Sequence, residues 1–291
     1  MLKKSLKTSL NSATLILKLI IPLYILADIL LYFDLLNYIS FLFEPITSFL
    51  HLPPETAIAL AGGMLINIYA AIAFAAPLGL TPYQWTIIAI FLGICHSLIT
   101  ESAIMKKLGI PYFYSLALRG IIAFLTVLPV IYIPRSFFGT EIIQTSQTLP
   151  HYDSFIQTIL ASAQKATLLS IKIIFLISLI TFLLDWLKST RFMQEYAKKV
   201  NTSFSIIVGQ LLGITYGAGI LVSEAKSGNL NRQEIFYIAT FLMISHSVLE
   251  DALLFVIFGA NYWLIVGTRL LMAFFISFVL LRMMKFFPLG G

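Results

Sequence analysis

Cysteine is almost missing from this sequence: Cys95 is the only one in 291 residues. That excludes an internal disulfide and a cysteine-rich metal site. Charge is scarce too. Only 11% of the residues are charged, against about 25% in an ordinary soluble domain. No GxxxxGK[ST] or GxGxxG segment occurs, so no built-in nucleotide motor is visible. The G-x-S-x-G elbow of Ser hydrolases is absent as well. Ser does stand beside His twice, but neighbours on a helix point about 100° apart and do not face one another. The chain is therefore not read as an enzyme, and no motif implies a cofactor. The formal net charge is +6, yet no basic stripe with interleaved aromatics appears, so a nucleic-acid partner is not expected.

What is abundant is apolar surface, 59% of the residues. A core alone does not absorb that much, so a large part must face lipid. The stretches from Leu15 to Phe33, Thr56 to Pro77, Ile110 to Ile133 and Tyr262 to Leu281 approach or exceed the roughly 20 apolar residues that span a bilayer. The expected fold is an all-α polytopic membrane protein whose first partner is the lipid bilayer. The basic, then apolar N-terminus lacks a small-residue cleavage pattern. It reads as a retained first helix that directs its own insertion.

The chain repeats itself. Residues 88–125 and 238–275 align without a gap at an offset of 150. His96 falls on His246, Ser97 on Ser247, Glu101 on Asp251, Gly109 on Gly259 and Arg119 on Arg269. With only four His in the chain, two superposing is informative. Upstream, IYAAIAFA (68–75) resembles TYGAGILV (215–222) at an offset of 147. The expected organisation is a first repeat over 1–134, a connecting loop over 135–153 and a second repeat over 154–291.

Basic clusters suggest how the repeats sit. If every apolar segment crosses, Lys106, Lys107 and the 188–199 cluster fall outside, against the positive-inside rule. Treating residues 84–108 and 234–258 as re-entrant helical hairpins brings these clusters, the N-terminus, Arg282 and Lys285 to the cytoplasmic face. Arg135, Lys226 and Arg232 are then left outside. Each repeat has about three transmembrane helices plus one hairpin, and the odd number of crossings inverts the second repeat. Inverted repeats place binding sites near midplane, at the repeat interface. The expected location is the inner (cytoplasmic) membrane, multi-pass, with a cytoplasmic N-terminus.

The polar residues inside apolar segments are the candidates for chemistry. An acid deep in a bilayer costs about 2.5–3.5 kcal/mol even on insertion scales, so it needs a cavity or a partner. Glu101 and Ser97 are four apart, as are Asp251 and Ser247, and Glu250 stands four after His246. At helical spacing these form shared faces. Together with His96 they make a site for a cation, a proton or a polar solute. The plainer alternative is hydrogen-bonding glue between helices. Arg119 and Arg269 each lie 18 residues after their repeat's acid. An ion pair that neutralises the buried acid is expected, with an anion clamp as the alternative. The small-residue stretches 61–77 and 209–225 allow close helix packing, or an unwound backbone with free carbonyls. Asn67 and Thr215 are their polar side chains. No bound metal is specified by these residues.

The segments TYGAGILVSEAKSG (215–228) and HSVLEDALLFVIFGA (246–260) resemble the Gate, or nucleoside recognition, domain. GGMLINIYAAIAFA (62–75) and HSLITESAIMKKLG (96–109) look like a diverged second copy, so the resemblance spans nearly the whole chain. It implies a permease-like membrane fold, shared with spore maturation membrane proteins, ferrous-iron permeases and part of concentrative nucleoside carriers. It fixes no substrate. Unlike the iron permeases, this chain has no GTPase motif and no membrane cysteine at the Gate motif, where Asn67 stands instead. The expected function is transport of a small polar solute or cation. The alternative is a non-transporting scaffold, or a subunit of a larger membrane complex; a homo-oligomer or a partner membrane subunit fits either.

Overall fold

The computed structural model describes residues 2–35, 38, 41–138, 154–191 and 230–286, with 219, 221, 223, 224, 227 and 228. Thr215, the glycines at 209, 213 and 217, Lys226, most of the connecting loop and residues 192–199 lie outside the described residues. Among the described residues the chain is helical, with no strand. The helices are α1 (Leu2–Tyr32), α2 (Glu44–Phe49), α3 (Ala57–Leu65), α4 (Ile68–Ala75), α5 (Pro82–Cys95), α6 (Leu98–Lys107), α7 (Tyr112–Val127), α8 (Phe155–Ser189), α9 (Arg232–Ser245), α10 (Val248–Val256) and α11 (Tyr262–Phe286).

Among the described residues, five segments are long and apolar enough to cross a membrane: Ser9–Tyr32, Pro82–Lys107, Phe155–Leu187, Arg232–Val256 and Tyr262–Met283. Their burial sorts them. Pro82–Lys107 and Arg232–Val256 are 72% and 78% buried, whereas the other three are each 22% buried. Two segments therefore form an inner pair, and the rest present one face outward. The outward faces carry Phe113, Trp263, Leu271 and Phe175, all largely exposed. A soluble monomer does not leave apolar surface of this extent open to water; a bilayer covers it.

The inner segments are not the re-entrant hairpins that the charge pattern suggests. Along α7, Ser115 meets Ser102, Arg119 meets the carbonyls of Ile94 and His96, and the later Ile131 carbonyl meets Tyr83. Moving up α7 therefore moves steadily down α6 and then α5. The two helices run end to end through an interruption at His96–Ser97 and form one broken crossing. The second repeat behaves alike. Arg269 of α11 meets both Asp251 and the His246 carbonyl, and Phe274 meets Phe241.

The segment that turns back is the small-residue one. A Cβ on Gly62 would lie 2.9 Å from the Phe74 ring, and one on Gly63 would lie 3.0 Å from Ala71. Residues 62 and 74 would be about 18 Å apart along one helix, so α3 and α4 fold against each other. Their tip is Ile66–Asn67. Asn67 starts the return helix by accepting a hydrogen bond from the Ala70 N–H at 3.0 Å. Glycine is needed on this face because side chains press on it: the Phe74 ring on Gly62, and Leu92 of α5, 2.7 Å from where a Cβ of Gly63 would lie. The tip rests on the broken crossing: Ser97 donates its N–H to Gly63 O at 2.9 Å and its hydroxyl to Ile66 O at 3.2 Å.

The two broken crossings lie antiparallel. Trp85 at the start of α5 stacks on Phe258 after α10, with ring centroids 4.2 Å apart, and Thr86 accepts the Asn261 N–H. At the other end Tyr114 meets Phe236 and Thr240 of α9. Midway, the His96 and His246 rings are 5.2 Å apart. The first helices of the repeats pair too: Asp28 of α1 accepts from Ser162 of α8, and Phe33 meets Phe155. This arrangement corrects one sidedness. Arg232, expected opposite Lys106 and Lys107, starts α9 beside the end of α6, where Met105 and Ile110 pack with Ala239 and Met243.

Sidedness is testable by cysteine labelling in a Cys95→Ala background. Lys107→Cys and Arg232→Cys should react from one face of the membrane, and Arg135→Cys from the other. Labelling of positions 107 and 232 from opposite faces would contradict the end-to-end path of the broken helices.

Candidate functional site

A helix interrupted inside a bilayer exposes carbonyls at its first end and N–H groups at the next. The same device handles both interruptions here. At each, the histidine is extended (His96 φ −66°, ψ 158°; His246 φ −62°, ψ 153°) and the serine is left-handed (Ser97 φ 47°, Ser247 φ 48°). Non-glycine residues seldom hold a positive φ without compensating contacts, and such backbone gathers at functional positions. The next helix then starts at once, with Glu101 N–H bonding to Ser97 O and Asp251 N–H to Ser247 O.

Histidines and arginines bond to the carbonyls around each interruption. Leu92 O receives the His96 ring Nδ1 at 2.8 Å, and Leu242 O receives that of His246 at 3.0 Å. Arg119 donates through Nε to Ile94 O at 2.7 Å and through Nη2 to His96 O at 2.7 Å. Arg269 does the same with Ile244 O at 3.3 Å and His246 O at 2.7 Å. The planar guanidinium fork suits two carbonyls at once, which an ammonium does not. Composition and spacing mark the arginines as partners for acids or as an anion clamp, not as caps for backbone carbonyls. Their capping of the interruption becomes visible once the interruption itself is known.

The arginines also reach the acids. Arg119 Nη2 lies 2.7 Å from Glu101 Oε2, and Arg269 Nη1 lies 3.2 Å from Asp251 Oδ2. Glu101 meets histidines of both repeats: Oε1 is 3.2 Å from His96 Nε2, and Oε2 is 3.2 Å from His246 Nε2. Among the described residues, the Nη1 of Arg119 is buried with no hydrogen-bond partner. The cluster is closed off: His96 is 7% exposed, Glu101 8%, Asp251 4%, His246 1%, and both arginines 0%. Glu101 and Asp251 also sit in the first turns of α6 and α10, where the helix dipole favours negative charge.

Of the sequence candidates, His96, Glu101, His246, Asp251, Arg119 and Arg269 converge on one point between the repeats. Ser97 joins the cluster to the hairpin tip. Asn67 is half-buried at that tip, bonded to its own return helix. Glu250 is half-buried beside the cluster. Its expected pairing with His246 at helical spacing does not hold, because the helix is interrupted between them and His246 faces Glu101 instead. Thr215 lies outside the described residues. One residue was missed: Gly93 of α5. A Cβ there would lie 2.8 Å from Nη1 and 3.0 Å from Cζ of Arg269, so glycine gives the buried guanidinium its passage. A lone glycine in an apolar helix gives no sign of this.

Fold and cluster together define a multi-pass α-helical membrane protein with a buried ionisable centre. Comparison with known proteins agrees on the class. The chain is 28% identical over 260 residues to a protein of Bacillus subtilis (strain 168) described as the uncharacterized membrane protein YvoD, a match covering 84% of this chain and 83% of that protein. No family model matches the chain, and no solved structure matches it.

Two stability measurements examine these contacts. Glu101→Gln removes one partner of a buried ion pair, a change worth about 3–5 kcal/mol. Arg119→Met also strips the Ile94 and His96 carbonyls, and an unsatisfied buried group costs about 1–3 kcal/mol. The double variant should therefore unfold near the temperature of Glu101→Gln alone, the two stripped carbonyls offsetting the relief of the unpaired guanidinium. A double variant of higher melting temperature would mean that Arg119 serves the carboxylate only. Gly93→Ala should cost about 1–3 kcal/mol by overpacking. Gly120→Ala, where an added Cβ meets open space, should be neutral or slightly stabilising.

Proposed function

We infer that this protein is a permease-type transporter that carries a small polar solute or a cation through the midplane cluster. One observation carries the reading: residues of both repeats converge where two broken helices cross. Burying two carboxylates and two guanidinium groups among apolar helices is expensive, and intramembrane ionisable groups of this kind mark ion or substrate pathways. Broken helices whose ends face such a centre, in repeats of opposite direction, are the plan of many secondary transporters. The near-complete burial fits a form closed to both faces, and the left-handed Ser97 and Ser247 are the natural points of bending between closed and open forms.

The Gate resemblance supports the same permease reading, since a glycine-rich hairpin laid against an interrupted helix carries the residues of the resemblance in the first repeat. Basic residues support an inner-membrane protein with a cytoplasmic N-terminus. In that orientation Lys3, Lys4, Lys7, Lys106, Lys107, Arg232, Arg282 and Lys285 share the cytoplasmic face, and Arg135 falls outside, as the positive-inside rule favours. One fact favours the alternative, a scaffold or subunit of a membrane complex: the same groups are nearly all paired with one another.

Flux decides between the two. Purified protein reconstituted in liposomes, screened with divalent cations, nucleosides and small organic ions, should pass at least one class. That flux should fall to background in Glu101→Gln and in Asp251→Asn. Flux that persists unchanged in both folded variants would overturn the assignment to this cluster, and inert liposomes across all classes would favour the scaffold.

A further inference from the structure

The geometry points to a coordination site for a divalent first-row transition-metal ion, held by His96 Nε2, His246 Nε2 and a carboxylate oxygen of Asp251. This deepens the transport reading by naming a class of cargo, while binding itself is measured apart from flux. The donor atoms of the three residues lie within 4.8 Å of one another, and all three residues are buried. They come from both interruptions, so only the assembled pair of repeats makes the site.

The histidine tautomers are set by the backbone. Each Nδ1 sits against a carbonyl oxygen, Leu92 O or Leu242 O, and a carbonyl only accepts. A ring proton therefore resides on Nδ1, and in the neutral form each imidazole directs its lone pair through Nε2 into the cluster. Metal-binding histidines are held in this way, the far nitrogen donating to a carbonyl or carboxylate. Both lone pairs then face oxygens of Glu101 at 3.2 Å. Arg119 also reaches this point, on Glu101 Oε2, so a cation that takes the two Nε2 atoms leaves Glu101 to its arginine.

The donor set selects the ion. Two imidazoles and a carboxylate suit Zn²⁺, Co²⁺, Fe²⁺ or Ni²⁺ better than Mg²⁺ or Ca²⁺, which take oxygen ligands. Zinc–nitrogen bonds of about 2.0–2.1 Å bring ligands within roughly 3.4 Å of one another in a tetrahedral site. The three side chains therefore draw inward around the ion. Asp251 keeps its Oδ2 on Arg269 and offers its second oxygen. Two arginines balance two carboxylates, and Glu250, within electrostatic reach of Asp251 and His96, adds further negative charge toward an incoming ion.

The test uses tag-free, chelator-stripped, full-length protein in detergent, with Zn²⁺ and Co²⁺ as probes. Equilibrium dialysis should give one Zn²⁺ per chain. X-ray absorption of the zinc-loaded, unmodified protein should show scattering from two imidazoles, and the Co²⁺ form should show visible absorption of a low-coordinate site. Loss of a supporting partner around a metal costs about 10–100-fold in affinity. Loss of a ligand, in His96→Ala or His246→Ala, should therefore weaken binding by about a hundredfold or more. His51→Ala, at an exposed position, should leave it unchanged. Absence of stoichiometric binding, bound zinc without imidazole scattering, or undiminished binding in the double variant His96→Ala/His246→Ala would each overturn the site. Tight binding without flux would leave the site standing and refute transport of the metal. Flux of another solute by protein that binds no metal would do the reverse.

Discussion

The interrupted helix is the constraint from which the rest of this structure follows. Breaking a helix in mid-bilayer frees backbone carbonyls where no water can take them, and each such group costs several kcal/mol if left alone. A left-handed serine lets the chain restart at once, but the last carbonyls of α5 and α9 still need donors. Arg119 and Arg269 supply them from the following helix. A guanidinium so deep in the protein then requires a carboxylate. The acids thus stand one turn into the restarted helices, within reach of the same guanidinium groups. Interruption, arginine and acid form one unit, and neither charge is tolerable without the other two members.

The unit also explains the hairpin. Ser97 uses its N–H and hydroxyl on carbonyls of the α3–α4 tip, so the tip of a segment that does not cross the membrane satisfies backbone groups that the interruption has displaced. The hairpin in turn needs Gly62 and Gly63 to fold tightly enough to reach that depth. Non-helical backbone at this depth survives only where protein covers it, and α1 and α8 lie outside as the covering layer.

Much of this was legible before any coordinates. Matched His, Ser, acid and Arg at one offset located the cluster, because polar residues in an apolar chain are few and each carries information. The helical class and the three crossings per repeat followed from apolar length and basic clusters. The identity of the turning segment did not. Positive charges record only whether an odd or even number of crossings precedes them, so one returning segment before Lys106 satisfies the rule wherever it lies. The double glycine followed by Asn67, a helix starter, was the available signal for α3 and α4. The interruption at His96–Ser97 left no mark of its own, since it uses neither glycine nor proline. Side-chain pairs drawn across it at helical spacing, such as His246 with Glu250, therefore failed.

Duplication would make the two repeats equal, yet one methylene group separates their acids, and the geometry uses it. Glu101 extends past its own Arg119 to touch His96 and His246 together. The shorter Asp251 has Arg269 as its single close ion-pair partner among the described residues. Gly93 gives Arg269 its passage, whereas Met243 occupies the corresponding position in the second repeat. Thr100 in the first repeat is replaced by Glu250 in the second. The asymmetry gives the centre a direction that a symmetric pair would lack. One carboxylate locks the two histidines, and the other retains an oxygen not engaged by its arginine.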